Sequence, residues 1–457
     1  MTAAVPELAR NLATAVQTAG GRALIVGGWV RDQLLGRGSK DLDIEVFGID
    51  AAKLRPIIER FGRVDTVGES FTVFKIADLD VSLPRRESKT GRGHRGFTVD
   101  GDPDLSFVEA ARRRDFTINA MSRDPLTGEL IDPFNGEADL GARVLRMVDA
   151  RTFADDSLRV LRAVQFAARF DLSLDAATAE LCRRIPLDDL PSERIWGEFE
   201  KLLLRASRPS VGLAVAWELD IVHRLLPELV PMATCPQEPE WHPEGDVWTH
   251  TLMVVDEARG RIDGLERGPA VAMMVAAVCH DIGKPATTAV IDGRIRSPGH
   301  EEAGVEPATR VLDRLNLHSL DGYDVRRAVL GLVAQHLRPS AFHHAATTVR
   351  DGAFRRLAQK VDLELLARFA RADCHGRGGA FDCSAMDWFV ERARALGVQH
   401  AAPPPIVLGR HLLELGVAPG PGMGAMLKAL YERQLDGDIQ SIDEGLAAAR
   451  ALIALRG

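Results

Sequence analysis

Two glycines set between two short apolar runs, with a pair of carboxylates opening the second run, constrain this chain more than any other feature. The stretch LIVGGWVRDQLLGRGSKDLDIEVFG covers residues 24–48. An apolar run enters Gly27 and Gly28, a charged helix-like segment follows, and the second run opens on Asp41, Leu42 and Asp43. Glycines after a strand let backbone N–H groups approach phosphate oxygens, and a helix N-terminus behind them favours negative charge. A glycine pair alone is equally an ordinary packing turn. The carboxylates narrow the choice. Residues i and i+2 of a strand share a face, so Asp41 and Asp43 reach one site, where like charges repel unless a cation lies between them. Oxygen ligands of this kind suit Mg²⁺, and phosphoryl transfer uses such ions on its attacking and leaving oxygens.

The rest of the chain bounds what this pocket belongs to. With 457 residues and 46% hydrophobic content, it can bury several cores. Short β-like runs (ALIVGG, DLDIEVFG, FTVFKIADLDVSL) alternate with helical stretches up to about residue 83, and helical patterns dominate from about 150 onward. The reading is an α+β head built on a small sheet with helices, followed by a largely all-α body. The Pro-rich, acidic stretch 229–246 reads as a linker or domain entrance, and AAPPPIVLG (401–409) sets off a last helical segment. The expected divisions are a head at 1–150, a helical neck at 151–228, a metal-site domain at 229–390 and a helical tail at 391–457. No apolar run is long enough for a membrane span, and the first residues read as a surface helix, not a signal peptide. The five scattered cysteines lack CxxC spacing and are expected as reduced thiols, so the expected location is cytoplasmic. A net charge of −8 gives no support to non-specific nucleic-acid binding by the whole molecule. The local basic runs at 85–95 and Arg112–Arg114 are compatible with either a basic groove or a solvated loop.

Further motifs follow the opening one in order: RRRDFTINAM (112–121), IDPFNGEADLGARVLRMV (131–148), DDSLRVLRAVQFAARF (155–170) and ERIWGEFEKLLL (193–204). Together with LIVGGWVRDQLLG…KDLDIEVFG they resemble the class II nucleotidyltransferases, the family of bacterial tRNA CCA-adding enzymes and poly(A) polymerases. The resemblance is close over roughly residues 20–205. It implies that Asp41 and Asp43 hold Mg²⁺, and that Gly27, Gly28, Arg31, Asp32, Arg114, Asp115 and Asn119 serve the nucleotide and its loop. It also implies that Asp156, Arg159 and Arg162, spaced by three along one helix face, select the base. A carboxylate accepts from the exocyclic amine that C and A share, and a guanidinium donates to the neighbouring ring acceptor, so such a pair reads C or A without a template. Ordinary i,i+3 ion pairing is the plainer alternative. The chain departs from the family at Asp155, where Glu is usual, at Ser157, and at Gln165, where many members carry Arg.

A second constellation lies downstream. Nine of the thirteen histidines fall between residues 242 and 375, where an even spread would place about four. An adjacent His280-Asp281 at the end of an apolar run is costly to bury without a partner. The order His250, His280-Asp281, Asp373 resembles the HD phosphohydrolase family, with His300 and His336 where two-metal members place extra ligands. The implied cofactor is a divalent transition metal or Mg²⁺ that activates water for phosphoester hydrolysis. His242, His318, His343, His344 and His375 are expected at the surface or behind the ligands. A class II head joined to an HD domain resembles the bacterial multifunctional CCA enzymes. The expected function is then CCA addition to tRNA from CTP and ATP, with hydrolysis of 2′,3′-cyclic phosphate and 2′-phosphate esters. A CC-adding or A-adding enzyme and a poly(A) polymerase stay open, as does an HD phosphohydrolase whose head only binds RNA.

Overall fold

The computed structural model describes residues 5–38, 42–67, 73–89 and 97–455. Asp41 and the tip of the basic run (90–96) lie outside the described residues. The chain divides into two compact units, Met1–Leu225 and Leu226–Gly457, and no helix among the described residues is long and apolar enough to cross a membrane.

The first unit is organised by strands β1 (Arg22–Val26), β2 (Leu42–Phe47), β3 (Asp65–Val67), β4 (Val73–Ile76), β5 (Leu79–Ser82), β6 (Arg85–Lys89), β7 (Phe97–Gly101), β8 (Ser122–Arg123) and β9 (Leu130–Ile131). Seven of them form one sheet in the order β3-β4-β5-β2-β1-β8-β9, and β6 and β7 pair separately as a hairpin. The β1–β2 pair is antiparallel and the β2–β5 pair parallel, so the sheet is mixed. Its register sets Lys75, Asp80, Asp43 and Val26 level across β4, β5, β2 and β1. On one face Leu24, Val26 and Phe47 cluster with Ala110 of the helix Phe107–Arg112, capped by an edge-to-face contact of Phe47 on Phe107 at 4.7 Å. That packing delivers the arginines at the end of this helix to the sheet face that carries Asp43.

The helix Leu158–Phe170 is buried on most of its surface, from Val160 to Phe170. It packs against the helices Ser192–Arg205 and Pro209–Glu218. The close approach depends on Gly212, where a Cβ would stand 2.3 Å from Leu202 Cδ1 and 3.1 Å from the Val164 carbonyl. The helix runs from Leu158, so Asp156 stands just before its first residue, three positions ahead of Arg159 and six ahead of Arg162. The Asp156 Oδ1 accepts from the Leu158 backbone N–H at 3.1 Å and its carbonyl from the Arg159 N–H at 3.0 Å, so this residue caps the start of the helix.

The second unit is helical. Its central helix, Arg267–Cys279, is apolar on every face and buried from Ala270 to Cys279, the pattern of a helix surrounded by others. The helices Val247–Arg259, Val325–Gln335 and Leu363–His375 pack around it. The last three helices, Gly409–Glu414, Pro421–Asp436 and Ile442–Ala454, form their own small core from Val407, Leu412, Met426, Leu430, Ile439 and Ala449.

Two expectations are corrected here. The stretch 229–246 is not a bare linker, because it folds into a 3-10 turn (Pro227–Thr234) and then supplies cavity-lining side chains. Nor are all five cysteines thiols. Cys374 and Cys383 form a disulfide, with Cα atoms 6.0 Å apart. They lie nine positions apart, and the chain doubles back after the helix Leu363–His375 to bring them together. Such a pairing has no CxxC signature. Cys182, Cys235 and Cys279 are free and buried.

Candidate active sites

In the first unit, β1 runs directly into Gly27, whose φ of 73° suits glycine, and Gly28 opens the short helix Gly28–Leu34. The space a Cβ on Gly27 would fill is bordered by Arg114 Nη1 at 2.9 Å, so the glycine turn and the RRRD segment meet. Asp43 stands exposed on β2, two residues from Glu45 on the same face. Glu45 is buried and takes Arg113 at 2.6 Å and Arg114 at 3.8 Å.

Five residues singled out by the motifs form one continuous chain of hydrogen bonds. Arg31 donates through Nε and Nη2 to Asp32 Oδ1 at 2.9 and 2.7 Å, and through Nη1 to Asn119 Oδ1 at 2.6 Å. Asn119 Nδ2 donates to Asp115 Oδ1 at 2.9 Å. Arg162 donates to Asp115 Oδ2 at 2.7 Å from Nε and 2.6 Å from Nη2. Burial opposes the ionised form of Asp115, but Arg162 and Asn119 outweigh it and hold the carboxyl below the usual carboxylate range. Burial pulls the Arg31 guanidinium down, against the pull of Asp32, and its plane rests 4.1 Å from the Phe170 ring.

The residues read from the sequence as base-selecting are held from separate sides. Arg159 donates to the carbonyls of Thr152 and Arg113 at 2.6 and 2.5 Å. Asp156 Oδ2 accepts from Arg194 at 3.0 Å, on the helix Ser192–Arg205. The i,i+3 side-chain pairing of Asp156 with Arg159 is therefore not the arrangement adopted. The departure at Gln165 also gains a reason. Its Oε1 accepts from Arg169 at 3.0 Å, and burial with the charges of Arg31 and Arg205 already pushes Arg169 down to about 10. A further arginine at 165 would crowd cations that are already competing. Ser157 Oγ bonds Asp189 at 2.7 Å.

Two residues escaped the motif reading. Asp80 is level with Asp43 on the adjacent strand β5, and so shares its face, and Lys75 pairs with it at 3.1 Å. The alternation in DLDVSL carried that signal. The i+2 period from Asp41 and Asp43 likewise pointed to Glu45.

In the second unit, His280 and Asp281 emerge from the C-terminal end of the central helix and are fully buried. Asp281 stands between two groups. Its Oδ2 lies 3.8 Å from His250 Nε2 and 3.2 Å from His280 Nε2, and Asp373 Oδ1 lies 3.0 Å from His250 Nε2 and 3.8 Å from His280 Nε2. Its Oδ1 lies 3.3 Å from His300 Nε2 and 3.8 Å from His336 Nε2, which are themselves 3.2 Å apart. All six residues read as ligands from the sequence thus converge. The other ring nitrogens face outward: Nδ1 of His280, His300 and His336 each meet a backbone carbonyl, of Ala277, Ser297 and Val333. His250 Nδ1 lies 2.8 Å from Glu244 Oε1. Outer partners of this kind fix which nitrogen points inward.

The donor set fits divalent cations. His280 Nε2 and Asp281 Oδ2 are buried, and neither makes a hydrogen bond of proper geometry, although each has charged neighbours, as expected of lone pairs turned toward a shared ion. Burial opposes the charge on Asp281, but His280 and Lys284 hold it well below the usual carboxylate range, and Lys284 Nζ lies 2.7 Å from it. Burial would lower His250, yet Asp373 and Glu244 push it up to about 9, whereas burial and His280 push His336 down to about 4. The glycine of HDIGK has a steric reason, since a Cβ on Gly283 would stand 2.1 Å from the His300 carbonyl oxygen.

Glu244 and Lys284 were missed in the sequence. Lys284, four residues beyond His280 in an apolar stretch, was legible as a buried cation needing a partner. Glu244, in the supposed linker, was not. Of the remaining histidines, His242 Nδ1 contacts Glu244 at 2.9 Å, His343 and His344 line the cavity beside the cluster, and His318 and His375 are exposed.

Comparison with known proteins follows the same division. The family signature of the poly A polymerase head domain matches residues 23–146, that of a probable RNA and SrmB-binding site of polymerase A matches 171–232, and that of the HD domain matches 247–373. A multifunctional CCA protein of Laribacter hongkongensis is 37% identical, over 78% of this chain and 86% of its own. One from Halorhodospira halophila is 38% identical, over 79% and 85%. Among solved structures, the CCA-adding enzyme of Bacillus stearothermophilus in complex with CTP shares the fold, with a TM-score of 0.65, 20% identity and coverage of 99% of both chains. A head, an RNA-binding segment and an HD domain in this order, with more than a third of the residues identical over most of the length, make this chain a member of the multifunctional CCA protein family.

Proposed function

We propose that the first unit adds C, C and A to the 3′ end of tRNA from CTP and ATP without a template. We propose further that the second unit hydrolyses phosphoesters at nucleotide ends, 2′,3′-cyclic phosphates and 2′-phosphates. The observation that carries the first reading is the level placement of Asp43 and Asp80 on neighbouring strands, with β1 delivering Gly27 and Gly28 beside them. Mg²⁺ held by Asp41, Asp43 and Asp80 would lower the pKa of the RNA 3′-OH and neutralise charge on the α-phosphate and the departing pyrophosphate. Around it, the Gly27–Gly28 turn gives the triphosphate close backbone approach and Arg114 gives it a cation. Arg31, Asp32, Asn119, Asp115 and Arg162 form the rigid floor on which the nucleotide rests. Asp156 accepts from the exocyclic amine of C or A, and Arg159 donates to the ring. Their anchoring by Arg194 and by two backbone carbonyls supports a pair set before the nucleotide arrives.

For the second unit, the supporting observation is that Asp281 offers one oxygen to each of two histidine groups. This suits two divalent cations, and the nitrogen-rich donor set favours transition metals over Mg²⁺. From these proposed substrates, tRNA and free nucleotides, we infer a cytoplasmic location.

Incubating the protein with tRNA that lacks its terminal CCA, with CTP and ATP separately and together, tests the first reading. The expected product carries two C residues with CTP alone and one further A when ATP is present. Addition of A only, a long A tail or no extension would point to an A-adding enzyme, a poly(A) polymerase or a binding head, and would overturn it. Arrest at two C residues with both nucleotides present would mark a CC-adding enzyme instead.

A further inference from the structure

The cavity that holds the histidine cluster encloses about 630 Å³, more room than two cations and a phosphate fill, and Arg377, Phe381 and Trp241 also line it. Trp241 is 49% exposed, an unusual loss of burial for so large a ring. Arg377 is half-buried and its guanidinium rests 4.7 Å from the Phe381 ring centre. Among the described residues no carboxylate pairs with it, although Asp382 lines the same cavity. A cation on a cavity wall without a carboxylate, stacked on an aromatic ring, is a site for an anion of the ligand.

Arg377 and Phe381 belong to the segment that the Cys374–Cys383 disulfide closes, and Cys374 directly follows the ligand Asp373. Two further contacts pin this segment. The Gly378 N–H donates to Glu244 Oε2 at 2.9 Å, and the other oxygen of that carboxylate lies 2.8 Å from the ligand His250. Gly376 lies against the helix Val247–Arg259, where a Cβ would stand 2.5 Å from Val254 Cγ2 and 2.9 Å from the Val254 backbone nitrogen. The wall is therefore fastened to the histidine cluster through Glu244 and to the helix that carries His250 through Gly376.

Resting on the hydrolase reading of this cluster, we propose that the disulfide-closed segment 375–382 is its substrate-recognition wall. Arg377 takes the phosphodiester next to the ester being hydrolysed, and Phe381 and Trp241 present aromatic faces to a base. The cavity is then built for the end of a nucleotide chain, in preference to an isolated phosphoester.

The test uses the full-length, Mn²⁺-loaded protein and three probes: bis(p-nitrophenyl) phosphate, adenosine 2′,3′-cyclic phosphate, and a diadenosine dinucleotide ending in the same cyclic phosphate. Arg377→Ala is expected to raise KM for the dinucleotide about tenfold or more, the loss of one charged hydrogen bond, with kcat nearly unchanged. It should leave the other two probes unaffected, and Arg377→Lys should recover part of the loss. Trp241→Ala should raise KM several-fold for both nucleotides and not for the base-free diester. A water-soluble phosphine reduces the disulfide to two thiols, taking oxygen from water to become the phosphine oxide. That treatment should raise the dinucleotide KM of the wild type and leave Cys383→Ser unmoved. An unchanged dinucleotide KM in Arg377→Ala, beside normal hydrolysis of the base-free diester, overturns the assignment. Five titratable thiols in the unreduced, denatured protein overturn the role of the disulfide. No hydrolysis of any probe by the wild type overturns the hydrolase reading, and the wall with it.

Discussion

Replacing Asp115 by Asn tests whether the chain of hydrogen bonds behind the nucleotide turn is built around a carboxylate. Both oxygens of Asp115 accept only: Oδ2 from Arg162, and Oδ1 from Asn119 and from the backbone N–H of Phe116 at 2.8 Å. An asparagine amide must turn its NH₂ toward one of these donor groups, so no flip of the side chain restores the pattern. Removing one partner from a buried pair costs about 3–5 kcal/mol. Arg162 keeps about a third of its side-chain surface in water, which places the expected loss near the lower end, at about 3 kcal/mol. For a unit of this size that corresponds to a melting temperature lower by about 6–12 °C. The sign of the pH dependence is fixed by the direction of the shift. The folded-state pKa of Asp115 lies below its unfolded value, so its contribution is complete above the ordinary carboxylate pKa, about 3.9, and fades as pH falls through and below it. Thermal melts of wild type and Asp115→Asn should thus differ by a constant amount between about pH 7 and pH 5, and converge below about pH 4. A difference under about 0.5 kcal/mol at neutral pH, the scale of a surface substitution, would refute the reasoning. So would a gap that widens on acidification.

Three further outcomes follow from the geometry. Glu244→Gln should weaken metal binding in the second unit about 10–100-fold by isothermal titration, because it disturbs the outer partner of His250. Gly283→Ala forces a Cβ onto the backbone of His300, so hydrolysis should fall sharply and the second unit should lose about 1–3 kcal/mol, with tRNA extension retained. Asp80→Asn should slow nucleotide addition by at least about tenfold, with partial recovery at raised Mg²⁺, if its carboxylate shares the ion with Asp43. An unchanged rate would remove Asp80 from the site.

The sequence carried the site residues further than it carried their partnerships. Period-two spacing singled out Asp41 and Asp43, of which Asp43 stands exposed on β2, and the histidine order led to six residues that converge. What it lacked were contacts across long separations: the alternation in DLDVSL marks Asp80 as a one-face residue, but only the parallel pairing of β2 with β5 brings it level with Asp43. The spacing of Asp156 and Arg159 gave no sign that the Asp156 carboxylate caps the Leu158 N–H and reaches Arg194 38 residues away. The 229–246 stretch looked like a linker because Pro and acidic residues break helical periodicity. The same residues bring Glu244 and Trp241 to a cavity. The disulfide was invisible for a similar reason, since its spacing depends on how the chain turns after Asp373.

The central claim is that two separate chemistries reside in the two units. It is tested most directly by measuring both tRNA extension and phosphoester hydrolysis in Asp43→Ala and in His280→Ala. Asp43→Ala is expected to abolish extension and keep hydrolysis, and His280→Ala to do the reverse. Loss of both activities in either variant, with the protein still folded, would contradict it.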